Sequence, residues 1–366
     1  MATRDKYIDT LRAAALVRVV TYHSFSLPWL PFVFPSMGIM FALAGSLVLG
    51  SLDRTPAKMM LRRRLHRLLP PVWVFGLVAV TLMLWHGWTV SDDGPAPLTW
   101  RTILFWVFPI SDPPGSVWGF DMVEPLWYIR AYLWFLLASP MLRWAWRRYG
   151  MATLVVPLAV LVATQMDWLS VGQGRVGEVI TDAAVFGACW LLGFAHYDGR
   201  LRKISLRWLL PVVVVAAAVG MTWALHHQEP APDLWDINNI PLADGFWSFA
   251  AVLLLLRFYP SFNWLDRHAV LDRLIVVINA RAMTIYLWNN VAIFGAYTIT
   301  GWFDWAGGWR EVVLIVALTW AGVGLAVLVV GPIEDLAARR RPTLWPGRRA
   351  DQPRRQRHVD ELDALA

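Results

Sequence analysis

The chain of 366 residues is 57% hydrophobic and only 16% charged, against about 45–50% and about 25% in soluble domains, which excludes an ordinary soluble fold. Its net charge of +7 is spread between apolar stretches and forms no single basic stripe, so membrane topology explains the excess and nucleic-acid binding does not. The apolar runs are continuous and do not alternate, which excludes a β-barrel. The fold class expected is an all-α, polytopic transmembrane bundle.

Apolar runs near the ~20 residues that a helix needs to cross a hydrocarbon core lie at 11–27, 32–52, 70–85, 126–142, 151–169, 179–197, 208–225, 245–261, 275–298 and 311–331. They predict about ten spans. The first is expected to stay on the chain, because Arg12 and Arg18 interrupt what would be the apolar core of a cleavable signal. The run TILFWVFPI at 102–110 is too short to cross. A crossing there would also put the basic stretch RWAWRR (143–148) on the same side as the acidic DDG loop, so an outer re-entrant or surface segment is expected. With that topology, twenty-six of the 33 Lys and Arg residues lie on one side and three, Arg101, Arg175 and Arg310, on the other. The positive-inside rule then makes both termini cytoplasmic, in a multi-pass protein of the plasma (inner) membrane.

The expected domain structure is a transmembrane domain over 1–335 followed by a basic, disordered cytoplasmic tail over 336–366, either solvated or lying on anionic headgroups. The 24 Trp residues suit interfacial anchoring. The single cysteine, Cys189, permits no internal disulfide and reads as a buried packing residue.

Charges inside a bilayer cost free energy, so each is a functional candidate. Arg12 and His23 are eleven residues apart; at ~100° per residue they return to within ~20° of one direction, and their rise is ~16 Å. They share a helix face without touching, and one elongated ligand could reach both. Asp9 lies one turn before Arg12 and can pair with it. Arg18 faces elsewhere, with a structural role and a functional one both open. Next, KMMLRRRLHRLLPP at 58–71 sets Arg62, Arg63, Arg64 and Arg67 before a span. Their fork-shaped donors suit phosphates, although a stop-transfer charge cluster has the same composition.

Arg-x10-His in the first span, the following FPSMGIMFALAGSLVLGSL, RLHRLLP, EPLWYIRAYLWFLLASPML and ARAMTIYLWNNVAI together resemble the acyltransferase 3 family of integral membrane acyltransferases, over about residues 4–335. The resemblance implies transfer of an acyl group, often acetyl, from cytoplasmic acyl-CoA to a hydroxyl of an extracytoplasmic saccharide or glycolipid of the cell envelope. It implies Arg12 and His23 as catalytic residues and Arg64 and Arg67, with Arg62 and Arg63 beside them, as the donor-binding cluster. The pantetheine arm of CoA is comparable in length to the Arg12–His23 separation. His23 is then expected to act as general base, with a covalent acyl-histidine as the rival route.

Two departures from the family pattern matter. Where many members carry a carboxylate after Leu-Trp, this chain has Tyr128, Ile129, Arg130, Ala131 and Tyr132, and Glu124 is the candidate substitute. Asn289 stands where a late His is frequent, and can bind but cannot titrate. Trp127, with Glu124 and Asn289, completes the expected substrate contacts. No metal is expected: His86, His226 and His227, with Glu229, Asp233 and Asp236, lack a fixed ligand spacing. Trp88, Trp100, Trp118, Trp235 and Trp247, near the acidic Asp92, Asp93, Asp112 and Asp121, offer ring faces for a saccharide or anchors for an interface. The alternative from another class is a transporter of a saccharide or lipid intermediate, with Arg and His lining its path. Membrane lipid and the acceptor are the partners expected; oligomeric state is not legible.

Overall fold

The computed structural model describes residues 5–90, 98–172, 174–227, 236–303 and 308–343. These residues form helices without strands: α1 (Lys6–Phe25), α2 (Leu30–Val33), α3 (Ser36–Arg54), α4 (Ala57–Trp85), α5 (Trp100–Val107), α6 (Phe120–Val123), α7 (Leu126–Tyr149), α8 (Val155–Gln165), α9 (Arg175–Tyr197), α10 (Arg200–Lys203), α11 (Leu206–His226), α12 (Pro241–Arg257), α13 (Ala269–Ala280), α14 (Ala282–Thr300), α15 (Trp309–Val329) and α16 (Pro332–Ala337).

Local signals set several boundaries. Asp5 caps α1 by accepting from the Ile8 N–H, and Ser26 ends it in the left-handed region, leaving His23 in the last turn. α4 begins at Ala57, well before its apolar run, so the arginine run is itself helical. The short run near 102–110 forms α5, eight residues long. It lies along α4, where the Trp73 indole donates to the Val107 carbonyl at 2.8 Å, and it does not cross.

Among the described residues, six helical segments are long and apolar enough to cross a membrane: Leu30–Arg54, Ala57–Trp85, Phe120–Gln165, Arg175–Tyr197, Leu206–His226 and Trp309–Val329. About ten spans are expected from the sequence; the other four runs fall short of that criterion for separable reasons. α1 carries Lys6, Asp9, Arg12 and Arg18. The run at 151–169 joins α7 through the tight turn Gly150–Leu154 and forms one segment with it. α12 has only 17 residues. The run at 275–298 breaks at Arg281 into α13 and α14, and α14 carries Asn289 and Asn290.

Chain direction alternates between two ends. At the basic end, Arg64 of α4 donates to the Tyr132 hydroxyl of α7 at 3.1 Å and to Ser51 of α3 at 3.3 Å. There too Arg147, in the last turn of α7, bridges Asp53 and Asp198 at 2.5 and 3.0 Å. At the opposite end, the Tyr297 hydroxyl of α14 donates to the Ser24 carbonyl of α1 at 2.6 Å. In the interior α3 and α9 approach closely enough that only glycine fits at Gly45 and Gly193, the small-residue packing of membrane helices. The outside is apolar: Val214 and Val215 on α11 and Val313, Leu325 and Val329 on α15 are exposed, a surface suited to lipid.

α16 runs across the domain boundary expected at 335/336, and the segment after it is held: buried Arg281 donates to Asp335 at 2.7 Å and also to the Thr343 carbonyl. The rest of the expected tail, 344–366, lies outside the described residues.

Candidate active site

Two cavities lie along the chain's central helices. The first, about 500 Å³, is bounded by α3, α4, α7 and the start of α14, and Arg54, Arg63, Arg64 and Arg67 line it beside Tyr128 and Tyr132. Leu47, Met60, Leu68, Ile129 and Met283 form its apolar part. None of its lining residues is acidic. Like charges converging without carboxylates repel one another, an arrangement that an anionic ligand relieves. Arg62 is exposed and does not line this cavity.

The second cavity, about 270 Å³, is bounded by α1, α3, α7, α9, α12 and α14 at the other end, with His23, Arg18, Glu124, Trp127, Asp182 and Asp244 among its lining residues. His23 is four-fifths buried, and its Nδ1 lies 3.7 Å from Glu124 Oε2. Glu124 is held in turn: Asn290 Nδ2 donates to its Oε2 at 3.0 Å and to the Asp121 carbonyl at 3.0 Å. At 3.7 Å His23 and Glu124 are at ion-pair distance without a hydrogen bond, and a carboxylate so placed favours a protonated imidazole. Trp127 stacks on Phe186, centroids 5.7 Å apart, and presents an aromatic wall beside the imidazole.

The cavities are separated by aromatic rings. Tyr132 and Tyr128 line the first cavity, Tyr286 lines the second, and the rings of Tyr128 and Tyr286 are 5.2 Å apart. Arg12 lines neither. Asp9 sits 3.9 Å from its guanidinium.

Asn289 is fully buried, with its amide turned to the Tyr286 carbonyl of its own helix, and does not line the His23 cavity. Its neighbour Asn290 is the one that reaches Glu124. Arg18, expected to face elsewhere, lines the His23 cavity where Arg12 does not; Tyr22, Asp182 and Asp244 beside it had no sequence signal of their own. Arg18 is 7% exposed, with its guanidinium carbon 4.8 Å above the Tyr22 ring. Tyr22 donates to Asp236, and Asp244 accepts from Ser248 at 2.8 Å. Arg130 meets Asp112 and Glu178 at 2.5 Å each and Asp182 at 2.9 Å. Burial, together with repulsion from Glu178, pushes Asp112 up to about 6 against the pull of Arg130.

Of the histidines considered for a metal, His86 stacks on Trp118 and His227 on Trp223, each 3.8 Å between centroids. Asp92, Asp93, Glu229, Asp233 and Trp235 lie outside the described residues.

A helical bundle with an apolar exterior and a buried polar centre defines a polytopic membrane protein. The acyltransferase 3 model, an acyltransferase domain, matches residues 5–331, and the chain belongs to that family; it is a membrane acyltransferase. No curated protein and no solved structure matches the chain.

Proposed function

We propose that the protein is an O-acyltransferase that takes an acyl group, acetyl in the simplest case, from cytoplasmic acyl-CoA and delivers it to a hydroxyl of an extracytoplasmic saccharide or glycolipid of the cell envelope. The observation that carries this reading is the pairing of His23 with Glu124 in a cavity at one end of α1, with an all-basic cavity toward the other. In it, Arg63, Arg64 and Arg67 bind the phosphates of CoA, and the thioester arm passes the Tyr128–Tyr286 partition near Arg12. His23 takes the acceptor's hydroxyl proton as the oxygen attacks the thioester carbonyl, a role worth typically ~10²–10⁴-fold. Glu124 orients the imidazole and stabilises its cation. Trp127 offers its ring to the acceptor.

The basic end faces the cytoplasm by the positive-inside rule, with both termini on that side. α1, α8, α12 and α14 complete ten crossings of the plasma (inner) membrane: α1 and α12 keep Arg18 and Asp244 inside the bundle, and α8 is itself apolar and meets lipid through Val155 and Val156.

The test is turnover in inverted vesicles from cells expressing the protein, supplied with radiolabelled acetyl-CoA. Label entering the extracted envelope fraction, with matching release of CoA thiol, and loss of both in His23→Ala, is the expected result. Label trapped on the protein without acceptor would establish the acyl-histidine route. Saccharide export that survives His23→Ala without acetyl-CoA would favour a transporter instead.

A further inference from the structure

Arg18 is a buried cation whose position that reading does not use. It lies on α1 between Arg12 and His23, is 7% exposed, and lines the cavity that His23 lines. Its Nε and Nη2 are buried with no hydrogen-bond partner. A buried guanidinium with idle donors is costly. The Tyr22 ring beneath it and the more distant charges of Asp236 and Asp244 offset its charge but leave these N–H groups unfilled.

The surroundings decide what could fill them. Glu124, Asp182 and Asp244 line the same cavity, so a permanently anionic acceptor would meet carboxylates on several sides. The group that fits is neutral on arrival and becomes negative only during reaction. A thioester carbonyl does this. As the acceptor oxygen adds to the carbonyl carbon, the C=O π pair moves onto oxygen while His23 takes the hydroxyl proton. The oxyanion then collapses, the C–S bond breaks, and the CoA thiolate leaves with the proton held by His23.

We propose that Arg18 is a further catalytic residue, whose unfilled Nε–H and Nη2–H donate to the thioester oxygen as it becomes an oxyanion. The proposal rests on the acyl-CoA reading above. It assigns Arg18 a part distinct from that of Arg12, which lines neither cavity. Donors of this kind act in the transition state and contribute little to donor binding, so their loss falls on kcat, by about 10²–10³-fold for one oxyanion donor.

The experiment compares wild type, Arg18→Met and Arg18→Lys by two readouts: acetyl-CoA-dependent thermal stabilisation of the purified protein, and thiol release with label transfer in inverted vesicles. Arg18→Met is expected to fold at least as stably as wild type, because it exchanges a buried, unsatisfied charge for an apolar side chain of similar length. It is expected to keep the acetyl-CoA shift and the KM for acetyl-CoA, and to lose about 10²-fold or more in kcat. Arg18→Lys, with the charge kept and the fork lost, is expected to fall between the two. Stable Arg18 variants that turn over within a few-fold of wild type would overturn the proposal, as would a loss of unfolding temperature in both variants with kcat unchanged in the folded fraction. Absence of any acetyl-CoA shift or turnover in the wild type would instead remove the acyl-CoA reading, and this proposal with it.

Discussion

His23 and Glu124 depend on each other. An imidazole that takes a proton here leaves a buried cation in the same cavity as the Arg18 guanidinium, and a carboxylate 3.7 Å away offsets that charge. Glu124→Gln keeps the shape and removes the charge, so thiol release should fall by about 10²-fold or more while acetyl-CoA binding is unchanged; an undiminished rate would show that Glu124 does not act on His23. Asp112, in the loop before α6, gives a pH-dependent check. Its carboxyl is raised to about 6 in the folded protein, so the stability it contributes is full below its ordinary range and is lost as pH rises through about 6. The stability of Asp112→Asn relative to wild type should therefore increase as pH rises from roughly 5 to 7; a relative stability that falls over that interval would contradict the sign. At this scale the sequence is readable only within one helix. The eleven-residue spacing of Arg12 and His23 follows from helical geometry, whereas Glu124 and Asn290 reach His23 from other elements that no spacing rule connects to it. The choice between Asn289 and Asn290 is a ~100° rotation of α14 about its axis, which depends on its packing partners.

Elements were legible where their patterns were unmixed. The apolar runs of α4, α9, α11 and α15 stand out because their buried and lipid-facing sides are both apolar, and α5 was recognisable as too short to cross. α1 and α14 are harder to class by hydropathy because they carry the polar groups of the site and are shielded from lipid by their neighbours. Close packing of α3 on α9 was not visible in the sequence, since a glycine in an apolar run does not say what approaches it. An added Cβ at Gly193 would lie 1.9 Å from the Ala42 carbonyl oxygen. Gly193→Ala should therefore cost about 1–3 kcal/mol, as overpacking of a tight core does, read as a lower unfolding temperature in detergent. Gly295 in α14 has nothing within 4 Å of the same position, and Gly295→Ala should be neutral or stabilising by up to about 1 kcal/mol through helix propensity. Equal effects at the two glycines would argue against the α3–α9 contact.

Over the whole molecule, charge and tryptophan report the same two-ended arrangement. Arginines converge at the end where α3, α7 and α9 finish, and exposed tryptophans lie at both ends, Trp144 and Trp208 at the basic one and Trp85, Trp168, Trp302 and Trp309 at the other, as interfacial anchors do. Cys189 is fully buried, which leaves a quiet background for sidedness labelling with a membrane-impermeant thiol reagent. Trp302→Cys should react in intact cells and Ser205→Cys only after the membrane is opened; the reverse pattern would invert the orientation. The charge bias along the sequence makes this arrangement legible, but the pairing of the two cavities across the Tyr128–Tyr286 contact depends on long-range packing and is not. That pairing has a thermodynamic consequence, because a ligand held only by the folded protein raises its stability according to concentration over Kd, by about 2.7 kcal/mol at a hundredfold excess. The measurement to make is the unfolding temperature of the purified protein with and without acetyl-CoA, in wild type and in a variant with Arg64→Ala and Arg67→Ala together. A saturable rise in wild type that is weakened in the double variant is the predicted result. No rise at millimolar acetyl-CoA with folded protein, or an equal rise in both, would contradict a CoA donor bound by the arginines of α4.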